Sequence, residues 1–328
     1  MKTAILGAGA MGSLTGAYMK RGGGEVYLID IFEEHIKAIR EKGVIMDIVD
    51  EPEPLTVFVD GAVTNGKEVG VCDLVIVLVK CVDIATAVET NQALFGKDTV
   101  VMALQNGVGS VDILAKYFNE NQLGFGVLKC FANVTGPGKI MGNPCFKNSP
   151  VGIYYSPVKL DTPYRPVFDE MERLLTAGGM LTKFSDNTEK FIWDKLCNNI
   201  MTNGIAALTQ FPNEDIQNHP DGWVILGELA RELCEVAKAK GIDINFDEHW
   251  RARPEGYVYE RDKVETFHFV SAVFDSVQKR KTEVDFLNGV IVREGKKYGI
   301  PTPYNETVLR LVRVMQDTYE YKFKQKDC

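Results

Sequence analysis

Met1-Lys2-Thr3-Ala4-Ile5-Leu6-Gly7-Ala8-Gly9-Ala10-Met11-Gly12 opens the chain, and its reading decides the fold. Residues 3–6 form a short apolar run of strand character, and the glycines lead into a helix-like segment over 12–20. A G-x-G-x-x-G pattern between a strand and a helix is the fingerprint of a dinucleotide-binding turn. Gly7 permits the tight turn, Gly9 lets backbone approach a pyrophosphate, and Gly12 lets helix and strand pack closely. Ala8, Ala10 and Met11 complete a loop whose N–H groups, at a helix amino terminus, favour an anion. A glycine-rich turn without a ligand is the bland alternative.

The segments beyond the loop repeat the same rhythm. Strand-like runs at 25–29, 73–79, 99–104 and 151–155 follow, with a second helix at 32–41. The run DLVIVLV over 73–79 is apolar on both faces, as a central parallel strand must be. Thr135-Gly136-Pro137-Gly138 is a turn signal inside an antiparallel extension over 127–140. The expectation is an α/β fold, with a Rossmann-type doubly wound sheet in a dinucleotide-binding domain over 1–186. From 187 the texture is helical, with segments at 188–207, 223–240, 264–279 and 283–298. Residues 187–328 therefore read as an all-α substrate domain, with an irregular connection over 243–262 around Pro254-Glu255-Gly256 and a solvated tail at 322–328.

Asp30 closes the second strand, 18 residues after Gly12, where an acid accepts hydrogen bonds from ribose hydroxyls. Ile31, Phe32, Glu33 and Glu34 follow, with no Arg or Lys until Lys37. A 2′-phosphate would meet a like charge there, so Asp30 favours NAD(H) over NADP(H). The competing reading makes Asp30 only a cap for the next helix.

Bulk composition narrows the function classes. The 328 residues exceed one ordinary core and fit two domains. Lys and Arg number 37 against 45 Asp and Glu, a net charge of −8 without a basic block, which argues against nucleic-acid and anionic-membrane partners. The seven cysteines are scattered with no Cys-x-x-Cys pair, and the four histidines have no ligand spacing. Reduced thiols in a cytoplasmic protein, and no metal site, are the expectation. The amino terminus carries the glycine loop in place of a signal peptide, and no apolar run approaches a membrane span.

A second candidate site lies in Trp193-Asp194-Lys195-Leu196-Cys197-Asn198-Asn199-Ile200-Met201-Thr202-Asn203. On a helix Lys195, Asn199 and Asn203 advance by roughly 40° per step, so an ammonium and two amides project together. Such a face can bind a carbonyl oxygen and deliver a proton to it, although a solvated polar face is the better reading of these residues alone. Thr282-Glu283-Val284-Asp285 is a helix-start signal that places Glu283 in the first turn, where the helix dipole alone favours a carboxylate. Asn106, in Gln105-Asn106-Gly107, ends a parallel strand at the edge where doubly wound sheets bind ligands; a simple turn asparagine is the alternative.

Together these elements resemble the ketopantoate reductase (2-dehydropantoate 2-reductase) family over nearly the whole chain. The carriers are Gly7–Gly12, the Q-N-G turn at 105–107, and Trp193-x-Lys195-Leu196 with Asn199 and Asn203. Thr282-Glu283-Val284-Asp285 with Asn288-Gly289, and Gly299-Ile300-Pro301-Thr302-Pro303, complete the set. The resemblance implies NAD(P)H-dependent reduction of a small 2-keto acid, ketopantoate foremost, to the D-2-hydroxy acid. It implies Lys195 as general acid, with Glu283 contacting a substrate hydroxyl or assisting proton movement. Substrate would be bound by Asn106, Asn199, Asn203 and Ser271, with Lys80 and Asn106 on the cofactor side. Two departures are visible: Asp30 stands where the family commonly has a basic residue suited to NADP(H), and the S-M-L-Q-D motif reads Ser271-Ala272-Val273-Phe274-Asp275. They keep open an NAD-dependent dehydrogenase of branched or aromatic D-2-hydroxy acids, of the D-mandelate type. A β-hydroxyacid dehydrogenase and a non-catalytic NAD(H) sensor are the remaining readings. The expected partner is a small 2-keto acid, with a homodimer left open.

Overall fold

The computed structural model describes residues 1–49, 51–146, 149–250, 257–264 and 267–321. The chain divides into two compact units, Met1–Thr188 and Glu189–Cys328. The predicted tail at 322–328 and Pro254-Glu255-Gly256 lie outside the described residues.

The first unit is built on β1 (Lys2–Leu6), whose last four residues are all buried. It pairs in parallel with β2 (Glu25–Ile29) on one side and, across a crossover, with the later strand Leu74–Val77 on the other. Helix α1 (Ala10–Arg21) connects β1 to β2, and α2 (Glu33–Lys42) follows β2. Strands β3 (Val44–Ile48), β4 (Leu55–Val57) and β5 (Gly61–Val63) come next, then β6 (Leu74–Val77). Every residue of β6, and of β7 (Val100–Ala103), is buried, as apolar runs flanked by layers on both faces require. Between them lies α3 (Ile84–Thr90), and α4 (Ser110–Leu114) precedes β8 (Leu123–Leu128). Strands β9 (Phe131–Gly136), β10 (Lys139–Asn143) and β11 (Ile153–Pro157), helix α5 (Arg165–Gly178) and β12 (Thr182–Phe184) complete the unit.

The main sheet runs β12-β11-β8-β7-β6-β1-β2-β5, parallel except that β11 lies antiparallel to β8. Helices α1 and α5 pack against each other, and Leu14, Ala17, Tyr18, Phe168, Met171, Leu174 and Leu175 join the sheet residues in one apolar core. The turn signal at 135–138 does join two antiparallel strands, β9 and β10, with Gly138 at φ 70°. These strands do not extend the main sheet. They form a second sheet, β4-β3-β10-β9.

The described part of the second unit is helical. It holds α6 (Thr188–Thr209), α7 (Asn213–Asn218), α8 (Pro220–Lys240), α9 (Phe246–His249), α10 (Ser271–Val277), α11 (Asn288–Tyr298) and α12 (Pro303–Asp317). Pro220 starts α8 at a position where its missing N–H costs nothing, and Gly241 at φ 88° ends it. Helices α8, α11 and α12 pack mutually around Leu229, Leu233, Ile291, Leu309 and Val312.

Three sequence expectations need correction here. The helix expected over 264–279 is only Ser271–Val277. The helix expected over 283–298 begins at Asn288, preceded by a separate 3₁₀ turn, Val284–Phe286. Leu287, at φ −110° and ψ −102°, breaks the two apart. Thr282 is held from outside, its N–H and hydroxyl donating to Gln316 Oε1 at 3.1 and 3.2 Å, while Asp285 pairs with Arg313. Tertiary partners therefore override the local start signal. Finally, the irregular connection expected over 243–262 contains the short α9.

Candidate active site

The sequence's cofactor residues gather at the carboxyl edge of four adjacent strands. Leu6 registers against both Ile29 and Val77, and Val77 registers against Ala103. The chain leaves that edge at Gly7, Asp30, Lys80 and Asn106, one segment from each strand. The neighbours of β1 are reached in opposite directions along the sheet, which makes this edge a topological switch point, where doubly wound sheets bind ligands.

The glycine loop is shaped by close approach. Gly7 sits at φ 103°, and a Cβ there would stand 2.5 Å from Val79 N. A Cβ on Gly12 would stand 1.9 Å from Gly7 O, so the turn and α1 can meet only through glycines. Gly9 faces open space and is exposed. It caps α1 with no side-chain hydrogen bond, and the first turn carries no acidic residue. The amino terminus of a 12-residue helix is therefore left to an anionic group, and Ala10 and Met11, half-buried beside it, crowd nothing away. Ala8 is fully buried, its N–H donating to Ile29 O at 3.0 Å.

Asp30 is half-buried, and its Oδ1 accepts from Phe32 N–H at 3.1 Å. Burial pushes its carboxyl above the ordinary value, while the N–H of Phe32, the ring of His35 and the N–H groups of Ile31 and Ala8 pull it back. Sequence reasoning missed the support beneath this corner. Gly138 N–H donates to His35 Nδ1 at 3.1 Å, so the ring proton sits on Nε2. Nε2 then donates to Ser13 Oγ at 3.2 Å, and Ser13 donates to Ala8 O at 2.8 Å. A neutral His35 thus connects the glycine loop to the second sheet. The only signal was a histidine beside the apolar positions Ile36 and Ile39 of α2.

Lys80 is half-buried at the turn after β6, and Asn106 is exposed beyond β7. Gln105 anchors that corner by donating to Val77 O at 2.9 Å, and its Oε1 is buried with no hydrogen-bond partner among the described residues. An orphaned acceptor, an uncapped helix and an open glycine face together fit a polar, anionic dinucleotide.

In the second unit, Lys195, Asn199 and Asn203 share one face of α6, roughly 6 Å apart along the axis at each step. Asn203 is 9% exposed and donates Nδ2 to Asn199 O at 3.0 Å. It lines a small pocket with Ser271 at the start of α10 and Glu283 before the 3₁₀ turn. Three residues picked from distant stretches thus meet around one pocket, whereas Lys195 and Asn199 lie farther along the helix and outside its lining. Asp275 and Thr282 also line it, residues that the sequence offered as parts of motifs and not as site residues. Asp275 is buried beside Arg280, 3.0 Å away, an arrangement that no local pattern announces. Helix α6 can lie close to α12 here because residue 204 is glycine: a Cβ would reach Val308 Cγ1 at 2.3 Å.

Residues 3–144 match the ketopantoate reductase PanE/ApbA family, and residues 187–316 match its C-terminal part. The chain belongs to this family. Among curated members, the 2-dehydropantoate 2-reductase of Streptococcus pyogenes serotype M1 is 28% identical, covering 95% of this chain and 97% of the relative. That of Lactococcus lactis subsp. lactis is 27% identical over 98% of this chain and the whole relative. Among solved structures, a D-mandelate dehydrogenase with NADH and anilino(oxo)acetate superposes with a TM-score of 0.80 at 27% identity, covering 98% of this chain and 99% of that one. A PanE/ApbA family ketopantoate reductase from Ralstonia eutropha has a TM-score of 0.77, also at 27% identity, over 98% of this chain and all of its own. Membership accounts for the pairing of a glycine-loop unit with a helical unit carrying Lys195. Among the described residues no cluster fit for a metal occurs, and no helix is long and apolar enough to cross a membrane.

Proposed function

We propose that this family member reduces a small 2-keto acid, 2-dehydropantoate foremost, to the D-2-hydroxy acid with NADH. The observation that carries the reading is the shared pocket of Asn203, Ser271 and Glu283 beside the lysine face of α6. A bound reduced nicotinamide dinucleotide supplies the hydride for the keto carbon. The amino terminus of α1 with Gly9 holds the pyrophosphate, Asp30 accepts from the ribose hydroxyls, and Lys80 and Asn106 line the cofactor edge. Lys195 binds the keto oxygen and gives it a proton as charge develops there. Asn199, Asn203 and Ser271 hold the polar groups of the acid, and Glu283 accepts from a substrate hydroxyl. The preference for NADH rests on Asp30, whose carboxylate repels a 2′-phosphate.

A second reading follows from Phe274. It stands one turn from Ser271 on α10, is 49% exposed, and offers an aromatic surface suited to branched or aromatic 2-keto acids. The two readings separate in one experiment, the oxidation of NADH and NADPH with ketopantoate, branched 2-keto acids and benzoylformate. Ketopantoate with NADH should give the highest kcat/KM, and Lys195→Ala should lower it by about a hundredfold or more. Equal rates in the wild type and the Lys195 variant would end the catalytic assignment, and benzoylformate winning by tenfold would select the second reading.

A further inference from the structure

Helices α6 and α8 lie side by side and antiparallel, as two residue pairs show. Lys240 Nζ, in the last turn of α8, reaches Glu189 Oε1 in the first turn of α6 at 3.2 Å. Eight residues along α6 and six back along α8, the thiols of Cys197 and Cys234 are neighbours across the two helices. Cys197 is fully buried. Cys234 is only partly buried and lines an open surface cavity with the cations Arg231 and Lys238, the carboxylates Glu235 and Asp243, and the apolar Ile242 and Phe246. Arg231 and Lys238 stand three residues before and four after Cys234, so two cations share its helical face. One thiol of the pair is therefore reachable from solvent and the other is held behind it.

We infer that Cys197 and Cys234 form a dithiol that hydroperoxides oxidise to a disulfide joining α6 to α8, with Cys234 as the attacking sulfur and Cys197 as the resolving one. The chemistry balances. The Cys234 thiolate attacks one peroxide oxygen; an S–O bond forms, the O–O bond breaks, and the leaving oxygen takes a proton as an alcohol or water. The Cys197 sulfur then attacks the Cys234 sulfenic acid; the S–S bond forms, the S–O bond breaks, and the departing hydroxide leaves as water with the Cys197 proton. Two thiols are oxidised and one hydroperoxide is reduced. Neighbouring thiols need little movement to reach a bond of roughly 2 Å.

The division of roles follows from environment. Contact with Cys234 and burial both push the Cys197 thiol up, so it stays protonated and donates. That donated hydrogen bond pulls the Cys234 thiol down, with a smaller contribution from Arg231, against burial, Asp194 and Glu235. Cys72, by contrast, is pushed up to about 11, mainly by burial.

The test uses the full chain, reduced, freed of reductant and treated with equimolar tert-butyl hydroperoxide. Intact mass should fall by two hydrogens, and peptide mapping should show Cys197 linked to Cys234, reversibly by dithiothreitol. Cys197→Ser should instead trap a dimedone adduct on Cys234, and Cys234→Ser should leave Cys197 unmodified. These three results need no enzymatic assay, so they stand or fall separately from the keto-acid reading. Both residues recovered as thiols while the half-buried Cys145 is oxidised at the same dose would overturn the inference. A dimedone adduct on Cys197 in the Cys234→Ser variant would overturn the order of attack.

Discussion

Lys80 and Asn106 each stand three residues beyond a registered pair, Val77 opposite Ala103, on neighbouring parallel strands. Neither position is near the other in sequence, yet the flush ends of β6 and β7 bring both to the edge that carries the glycine loop. If both serve the cofactor, Lys80→Ala should raise the KM for NADH by about tenfold through loss of a charged contact. Asn106→Ala, at a position serving both ligands, should raise the KM of cofactor and keto acid together. Steady-state kinetics with each ligand varied in turn decides this; unchanged NADH KM in both variants removes that edge from the site.

The proposed preference for NADH rests on Asp30. Replacing it with alanine should weaken NADH by about 1.5–3 kcal/mol, the worth of hydrogen bonds to a charged group, while leaving NADPH nearly as it was. The NADH to NADPH ratio of kcat/KM should therefore contract by tenfold or more. A ratio that does not move would assign Asp30 to its local turn alone, where Oδ1 already accepts from Phe32 N–H.

The pH response of the first unit follows from His35. Burial holds this ring below its ordinary 6.5, against the opposing pull of Asp30 and the Ala8 backbone. The folded state therefore binds fewer protons than the unfolded chain just below pH 6.5, and stability falls as pH drops through that window. Asp30, raised by burial, acts with the opposite sign: its contribution falls as pH rises from the ordinary carboxylate value, 3.8, through its folded one. Denaturant unfolding between pH 7 and 5 should show the histidine loss in the wild type. His35→Gln, which cannot titrate, should show a flatter profile over the same range.

Much of this was legible beforehand because the decisive signals are local. The glycine loop needs only a strand before it and a helix after it, and DLVIVLV needs only its own unbroken apolarity to be central. The lysine face of α6 was visible through helical spacing, but its partners were not. Ser271 and Glu283 meet Asn203 through tertiary folding, and Asp275 lines the same pocket one helical turn from Ser271. Helix α12 was overlooked although Asn305, Val308, Leu309 and Val312 keep a buried stripe. Its start signal was also there to read, Thr302 followed by Pro303 with Glu306 in the first turn, although the cap itself comes from a distant helix and not from the Thr302 side chain.

That distant cap is Glu232 on α8. Its carboxylate accepts from Tyr304 N–H at 2.8 Å, Asn305 N–H at 2.9 Å and Asn305 Nδ2 at 2.8 Å. Asn305 in turn accepts from Asn288, whose Nδ2 also reaches Ile200 O on α6. Removing the carboxylate leaves buried donors without acceptors, so Glu232→Ala should cost about 3 kcal/mol. Glu232→Gln, which keeps one acceptor oxygen, should cost less. Chemical denaturation of both variants measures the difference, and equal losses would mean that packing rather than the hydrogen bonds is at stake.

Glu283 offers the sharpest separation of structure from function. Read locally, it belongs to the first turn of a helix, where removing a carboxylate lowers stability by roughly 0.3–1 kcal/mol. The fold takes that role away, since α11 starts at Asn288 and only a three-residue 3₁₀ turn follows Glu283. Its place in the lining of the Asn203 and Ser271 pocket remains. Glu283→Gln should therefore leave the denaturation midpoint within experimental error while lowering kcat/KM for the keto acid by about tenfold or more, the worth of one hydrogen bond to a charged group. Lost stability with unchanged kinetics would return Glu283 to the helix-dipole role that its sequence context implies.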